Sequence, residues 1–210
     1  MAKILITGGN GFIGSHVLEL FLTNGYDVDC LVRKSSNLDN IKHLKVKFRF
    51  SDIREKENLI NIFKDYSAVI HIAALVNDWN RYDDFYEINV MGTLNVVNAC
   101  LENNIKNIIL TSSCSVYGEE NNKIIKTEKS QLHSHYPYFL DRLFPCKLNY
   151  YRDTKRIARE KVIDFAKNNN MDITFIEPVW VFGEREFNTG FFEYLKTASL
   201  KIPALRNMST

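Results

Sequence analysis

Runs of apolar residues of strand length alternate along this chain with segments whose apolar positions recur every three or four residues. Lys3–Thr7 (KILIT) reads as a buried strand. Phe12–Asn24 reads as a helix with Ile13, Val17, Leu20 and Phe21 on one face, and Gly25 is placed to terminate it. Strands follow at Asp27–Val32 and Val46–Phe50, then a helix at Lys56–Lys64 with Leu59, Ile60 and Phe63 apolar. Ala68–Ala73 is a fourth strand, Asp84–Asn103 a long helix, Asn107–Ser112 a fifth strand, Tyr150–Lys167 a second long helix and Asp172–Ile176 a sixth strand. Such βαβ alternation predicts a parallel sheet with helices on both faces. Unbroken apolar strands such as Ile108-Ile109-Leu110 agree, because they suit burial on both sides. Right-handed crossovers then give a doubly wound, Rossmann-type α/β fold.

Two stretches interrupt this rhythm. Glu119–Leu148 is polar at first, then aromatic, and is long for a connection within a compact domain. Tyr136, Tyr138, Phe139 and Phe144 in it could cover a substrate or form a small satellite core. The division expected is a dinucleotide-binding domain over 1–183 and the start of an incomplete substrate-binding region over 184–210.

Composition narrows the class. Hydrophobic residues make up 45% of the 210 and charged residues 25%, an ordinary balance for a soluble domain. With 27 basic and 25 acidic residues the net charge is +2, which points to neither a nucleic-acid partner nor a membrane surface. Cys30, Cys100, Cys114 and Cys146 form no CxxC pair, and the five histidines show no metal spacing, so reduced thiols and no metal are expected. No basic leader precedes the first strand and no apolar run could span a bilayer; a cytoplasmic location is the expectation.

The first strand runs into Thr7-Gly8-Gly9-Asn10-Gly11-Phe12-Ile13-Gly14, and a helix follows. In that setting the glycine spacing is a phosphate-binding signature. Gly8 permits the turn, Gly11 lets a pyrophosphate approach the backbone, and Gly14 lets the helix pack close to the sheet. The N–H groups opening the helix, at Phe12 and Ile13, meet the phosphates with the positive end of the helix dipole. The second strand bears on the ribose. Asp29 comes too early for the 2′-hydroxyl, and the strand ends in Arg33-Lys34, which favours a 2′-phosphate and hence NADP over NAD.

Tyr151 and Lys155 stand four apart, on one face of a helix. An ammonium beside a phenol is expected to lower the phenol's pKa towards neutral, making it an acid/base for hydride chemistry at an alcohol. Tyr150 and Tyr138 are aromatic competitors. Ser113, with Ser112 and Ser115 as fallbacks, lies just past the C-terminal end of the fifth strand, where ligands of open α/β sheets bind.

Taken in order, these motifs resemble the extended short-chain dehydrogenase/reductase family, which includes nucleotide-sugar epimerases and dehydratases, dihydroflavonol reductases and 3β-hydroxysteroid dehydrogenases. The resemblance runs from Lys3 to about Gly183. Asp52-Ile53 resembles the family's adenine-contacting pair and His71-Ile72-Ala73-Ala74 its alanine pair after the fourth strand. Asn89-Val90-Met91-Gly92-Thr93 is similar to its NVxGT helix motif. Ser113, four before Tyr117, holds the place of its catalytic serine or threonine, and Tyr151 and Lys155 match its YxxxK. Pro178-Val179 and Val181-Phe182-Gly183 resemble the segment lining the nicotinamide pocket. The resemblance implies Tyr151 as acid/base, Lys155 as its tuner and ribose anchor, and Ser113 as the group orienting the substrate oxygen.

Three departures stand out. Glu177 occupies the place of the family's usual arginine before the proline. The stretch between Ser113 and Tyr151 is long and aromatic, as in the steroid-dehydrogenase-like and reductase-like branches. Family members continue into a smaller C-terminal domain, whereas this sequence stops at Thr210, as a fragment, a truncated product or a shortened member would.

The implied function is NADP-dependent hydride transfer at an alcohol or carbonyl of a small molecule: a sugar nucleotide, a steroid-like compound or another alcohol or ketone. The alternatives are an epimerase or dehydratase that recycles its cofactor, and a non-catalytic dinucleotide-binding protein. The two long helices resemble those that form dimer interfaces in the family, so a homodimer is an open expectation.

Overall fold

A computed structural model gives the structure of residues 2–77, 80–118, 125–136 and 147–186. It divides into two compact units, Met1–Val179 and Trp180–Thr210. The first contains all regular elements described. In the second, the described residues are 180–186, where a turn closes with Glu186 N–H donating to the Gly183 carbonyl at 3.3 Å. Cys146, Tyr138, Phe139, Phe144 and all of the expected substrate-binding region beyond residue 186 lie outside the described residues.

Six strands, β1 (Lys3–Thr7), β2 (Asp27–Val32), β3 (Lys47–Phe50), β4 (Ala68–His71), β5 (Asn107–Thr111) and β6 (Ile173–Ile176), form one sheet in the order β3-β2-β1-β4-β5-β6. Every pairing is parallel. The order reverses between β1 and β4, and the crevice beyond their carboxyl ends is where ligands of such sheets sit.

Strand alternation builds two cores. Leu5, Leu31, Val69, Ile108 and Leu110 face α2 (Lys56–Ile62), α4 (Thr93–Glu102) and α5 (Lys147–Asn168), packing on Leu59, Val96, Val97 and Val162. Ile4, Ile6, Val28, Cys30 and Ile70 face α1 (Phe12–Thr23) and pack on Leu18. On α1 the fully buried line is Gly14, Ser15 and Leu18; of the predicted stripe Val17 and Phe21 pack against this core, whereas Leu20 is 60% exposed. Two residues of helix are about 200° of rotation, so once Leu18 points at the sheet Leu20 points away.

Between α3 (Tyr82–Phe85) and α4 the chain widens into a π-helical stretch, Tyr86–Gly92, without leaving the helical path. The predicted helix at Asp84–Asn103 is thus present but begins two residues earlier and is not regular. Cys114 lies in a short 3-10 turn, Cys114–Tyr117, and not in a strand, because β5 ends at Thr111. Cys30 and Cys100 are buried free thiols. Among the described residues no helix is long and apolar enough to cross a membrane.

Candidate active site and dinucleotide cradle

The glycine turn lies at the reversal point of the sheet. Gly8 has φ +72°, and a Cβ there would lie 2.6 Å from the Ala73 Cα, so the ends of β1 and β4 touch through it. A Cβ on Gly14 would overlap the Gly8 carbonyl oxygen, which fixes how closely α1 seats against the turn. Gly11 is the N-cap of α1, in extended conformation (φ −76°, ψ 178°), with no side-chain cap and no acidic residue in the first turn. The first N–H groups of a helix have no partner inside it. Gly11 offers them no side-chain cap, which is the arrangement an anion needs. Gly11 itself is exposed.

The loop after β2 is tied to this turn. Asn10 Nδ2 donates to the Asn37 carbonyl at 3.1 Å, and Asn40 Nδ2 donates to the Asn10 carbonyl at 3.3 Å. Arg33 is exposed at the end of β2, in a turn closed by Ser36. Its positive charge reaches Asp52, whose carboxyl is held below the usual range chiefly by hydrogen bonds from Arg54 and in smaller part by Arg33. Arg54 grips Asp52 with two nitrogens, at 2.9 and 2.8 Å. Ile53 is buried and seated against Gly92 in the π-helical stretch.

Asp29, inside β2, is buried and receives Tyr66 Oη at 2.5 Å, Arg49 Nε at 2.9 Å and Lys3 Nζ at 3.2 Å. Burial alone would raise its carboxyl; these three donors outweigh burial and hold it below the usual range. It ties β2 to β1, β3 and the residues before β4 from inside the strand, three positions before its end.

A buried polar chain then crosses from β1 to α5. The Ile72 and Ala73 N–H groups donate to Thr7 Oγ1, each at 3.3 Å, and Thr7 Oγ1 lies 2.7 Å from His71 Nδ1. His71 Nε2 lies 3.0 Å from Thr93 Oγ1, which donates to the Asn89 carbonyl at 2.7 Å. Thr93's proton is committed to that carbonyl, so His71 must carry its own proton on Nε2 and accept at Nδ1. The Asn89 amide closes the loop after β4, accepting from Leu75 N–H at 2.7 Å and donating to the Leu75 carbonyl at 3.1 Å and to Thr154 at 3.2 Å. Ala74 lies half-buried within that loop. Polar Thr7 and His71 at the ends of otherwise apolar strands were the available sequence signal for this chain.

Ser113 and Tyr151 are brought together by the end of β5 and the start of α5. Burial pushes the Tyr151 phenol up to about 12, and its hydrogen bond with Ser113 takes back only part of that rise. Ser113 Oγ also lies 2.9 Å from Ser115 Oγ and accepts from Ser115 N–H. Lys155 is buried and its Nζ donates to the Thr111 carbonyl at 2.6 Å. Burial draws its ammonium down to about 8. The predicted lowering of the phenol by the lysine is therefore reversed here. Desolvation dominates both groups, and the ammonium is engaged by a strand-end carbonyl. Ser112 is buried with its hydroxyl unpartnered among the described residues, against a cavity of about 20 Å³ shared with Lys155 and His71.

The segment after β6 is stitched to the serine turn. Ser112 N–H donates to the Ile176 carbonyl at 2.7 Å and Cys114 N–H to the Pro178 carbonyl at 3.1 Å; Val179 is exposed. Glu177, in place of the expected arginine, pairs with Arg159 at 2.6 Å and accepts from Tyr117 Oη at 2.6 Å. After Gly118, whose φ of +72° brings it against the His133 carbonyl, Ser134 is buried on α5 and donates to Asp153 at 2.5 Å. Among the described residues no cluster of His, Cys, Asp and Glu could hold a metal.

The glycine cradle fits a pyrophosphate on this geometry, since the uncapped helix start and the absent Cβ at Gly11 leave both charge and room. The profile of the NAD dependent epimerase/dehydratase family matches residues 4–201. The human sterol-4-alpha-carboxylate 3-dehydrogenase, decarboxylating, is 32% identical over 186 residues, covering 88% of this chain and 46% of that protein. The NAD complex of UDP-glucose 4-epimerase from Brucella ovis superposes with a TM-score of 0.70 at 27% identity, over 84% of this chain and 51% of the other. UDP-glucose 4-epimerase from Thermotoga maritima, with UDP-glucose, does so with a TM-score of 0.73 at 26% identity, over 88% and 57%. The chain thus spans about half the length of the relatives it matches. It belongs to the NAD-dependent epimerase/dehydratase family.

Proposed function

We propose that this chain is the dinucleotide-binding and catalytic part of a nicotinamide-dependent oxidoreductase acting on an alcohol or carbonyl of a small molecule. The observation that carries the reading is the placement of Tyr151, half-buried beside Ser113, one helical turn from the buried Lys155 on α5. Gly8, Gly11, Gly14 and the Phe12 and Ile13 amides would hold the pyrophosphate, and Asp52 and Ile53 the adenine side. Ala73, Ala74, Asn89, Pro178 and Val179 would border the remainder. When bound, the nicotinamide supplies the hydride acceptor or donor. With its pKa raised to about 12, the Tyr151 hydroxyl stays protonated at neutral pH and is ready to donate to a carbonyl oxygen. Ser113 would orient that oxygen. Lys155, one turn along α5 and held by the Thr111 carbonyl, would anchor the nicotinamide ribose.

The preference for NADP rests on Arg33 and Lys34, both exposed just past the end of β2. Titration with NADPH and NADH tests it: Arg33→Ala should weaken NADPH about tenfold more than NADH, one ion pair's worth of discrimination. An epimerase or dehydratase is the second reading, favoured by the likeness to UDP-glucose 4-epimerases. Turnover separates the two. Stoichiometric loss of reduced cofactor in a metabolite screen marks the oxidoreductase; sugar-nucleotide conversion without net loss marks the epimerase. In either case Tyr151→Phe should keep dinucleotide binding and lose turnover.

A further inference from the structure

Glu177, Arg159 and Tyr117 come from three separate segments and meet in one cluster. Arg159 Nε lies 2.6 Å from Glu177 Oε1, with each side chain only 12% exposed. Tyr117 Oη donates to Glu177 Oε2 at 2.6 Å, and Arg159 Nη2 donates to Tyr117 Oη at 3.2 Å. The guanidinium also lies over the rings of Tyr117 and Phe175, at 5.7 and 5.3 Å.

What each segment carries gives the cluster its meaning. Tyr117 closes the 3-10 turn that starts immediately after Ser113. Arg159 is one helical turn past Lys155 and two past Tyr151 on α5. Glu177 directly precedes Pro178, whose carbonyl is bonded to Cys114 N–H beside Ser113. The serine turn, the tyrosine–lysine helix and the Pro178-Val179 wall are therefore joined at one ion pair behind the site.

We propose that Tyr117, Arg159 and Glu177 are positioning residues, a clamp that sets the nicotinamide-side wall against Ser113 and Tyr151. The proposal rests on the dinucleotide reading above. A nearly buried ion pair is poor at adding stability but strict about geometry, because removing one partner strands the other charge. Reversing both charges keeps the pair.

The test compares NADH with ADP-ribose on the purified chain, by titration, with a thermal melt of each variant. ADP-ribose shares the adenosine and pyrophosphate and lacks the nicotinamide. Glu177→Gln should weaken NADH about tenfold, the loss of one charge-assisted bond, and leave ADP-ribose within about twofold. Glu177→Arg should do at least as much damage, and Arg159→Glu combined with Glu177→Arg should restore NADH to within about threefold of wild type. Tyr117→Phe, a milder variant that keeps the ion pair, should weaken NADH about threefold with ADP-ribose unchanged. Equal weakening of both ligands would make the cluster merely structural, and unchanged NADH affinity in Glu177→Gln and Tyr117→Phe would overturn the clamp. Failure of wild type to bind either ligand would instead overturn the dinucleotide reading beneath it.

Discussion

The imidazole of His71 donates from Nε2 to the Thr93 hydroxyl at 3.0 Å, fastening the end of β4 to the first turn of α4. Both ring nitrogens are engaged, and a proton added at Nδ1 would displace the Thr7 bond. Burial, with a smaller contribution from the Lys155 charge, pushes this histidine down to about 3.

A depressed histidine makes stability fall with acid. The unfolded chain takes up a proton on His71 near its ordinary 6.5, and the folded chain refuses it until about 3. Stability contributed this way is complete above 6.5 and is lost as the pH falls from there towards 3. The slope amounts to about 1.4 kcal/mol per pH unit for one proton. Urea unfolding of wild type and His71→Gln at pH 7, 6 and 5 reads the effect. The variant is less stable at pH 7, and the difference between the two should narrow steadily towards pH 5. Parallel curves would contradict a neutral, buried His71.

Lys155 should behave as a residue kept at the expense of stability. Its folded pKa of about 8 lies below the ordinary 10.5, so the folded state disfavours the charged form. The penalty is full below pH 8 and vanishes as the pH rises through 10.5. Lys155→Met should therefore be about 1–2 kcal/mol more stable than wild type at pH 7, after allowing for the lost bond to the Thr111 carbonyl. That advantage should shrink by pH 9.5 in thermal melts, while NADH affinity falls.

Gly14 makes a sharper claim about packing. A Cβ there meets the Gly8 carbonyl oxygen, and a backbone atom cannot move aside as a flexible side chain can. Gly14→Ala should cost about 3 kcal/mol or more in denaturant unfolding, within the range for overpacking at a rigid contact. A loss below about 1 kcal/mol would mean that α1 does not seat on the turn as described.

Much of this was legible from sequence because the motifs are local. The GxxGxxG spacing, the order of the strands and the YxxxK pair each depend on a few consecutive residues, and these account for the fold, the cradle, and Tyr151 and Ser113 meeting. What escaped depends on distant partners. Nothing beside Glu177 in sequence announces Arg159, 18 positions away, or Tyr117, 60 positions away. In the Thr7–His71–Thr93 chain the first bond spans 64 positions and the second 22, and Thr7 and His71 look like ordinary strand-end polar residues until the sheet assembles. The phenol's raised pKa differs from what spacing suggests for a related reason: spacing places a lysine nearby, but burial and the Thr111 carbonyl decide what the charge does. The π-helical widening at Tyr86–Gly92 leaves no periodicity signal in so short a span.

The central claim is that the amides opening α1 are reserved for a phosphate, and Gly11→Asp tests it most directly. Gly11 already has N-cap geometry, and a Cβ there meets only the Gly8 carbonyl oxygen, at an ordinary 3.4 Å. An aspartate would cap the helix and favour its dipole, worth about 0.5–1 kcal/mol, while occupying the N–H groups and repelling an anion. Thermal melting and NADH titration of the same sample give both readouts. The melting temperature should equal or exceed that of wild type, together with a loss of NADH affinity of about a hundredfold, as expected when an anion meets a filled and negatively charged cap. Affinity within about twofold of wild type would contradict it.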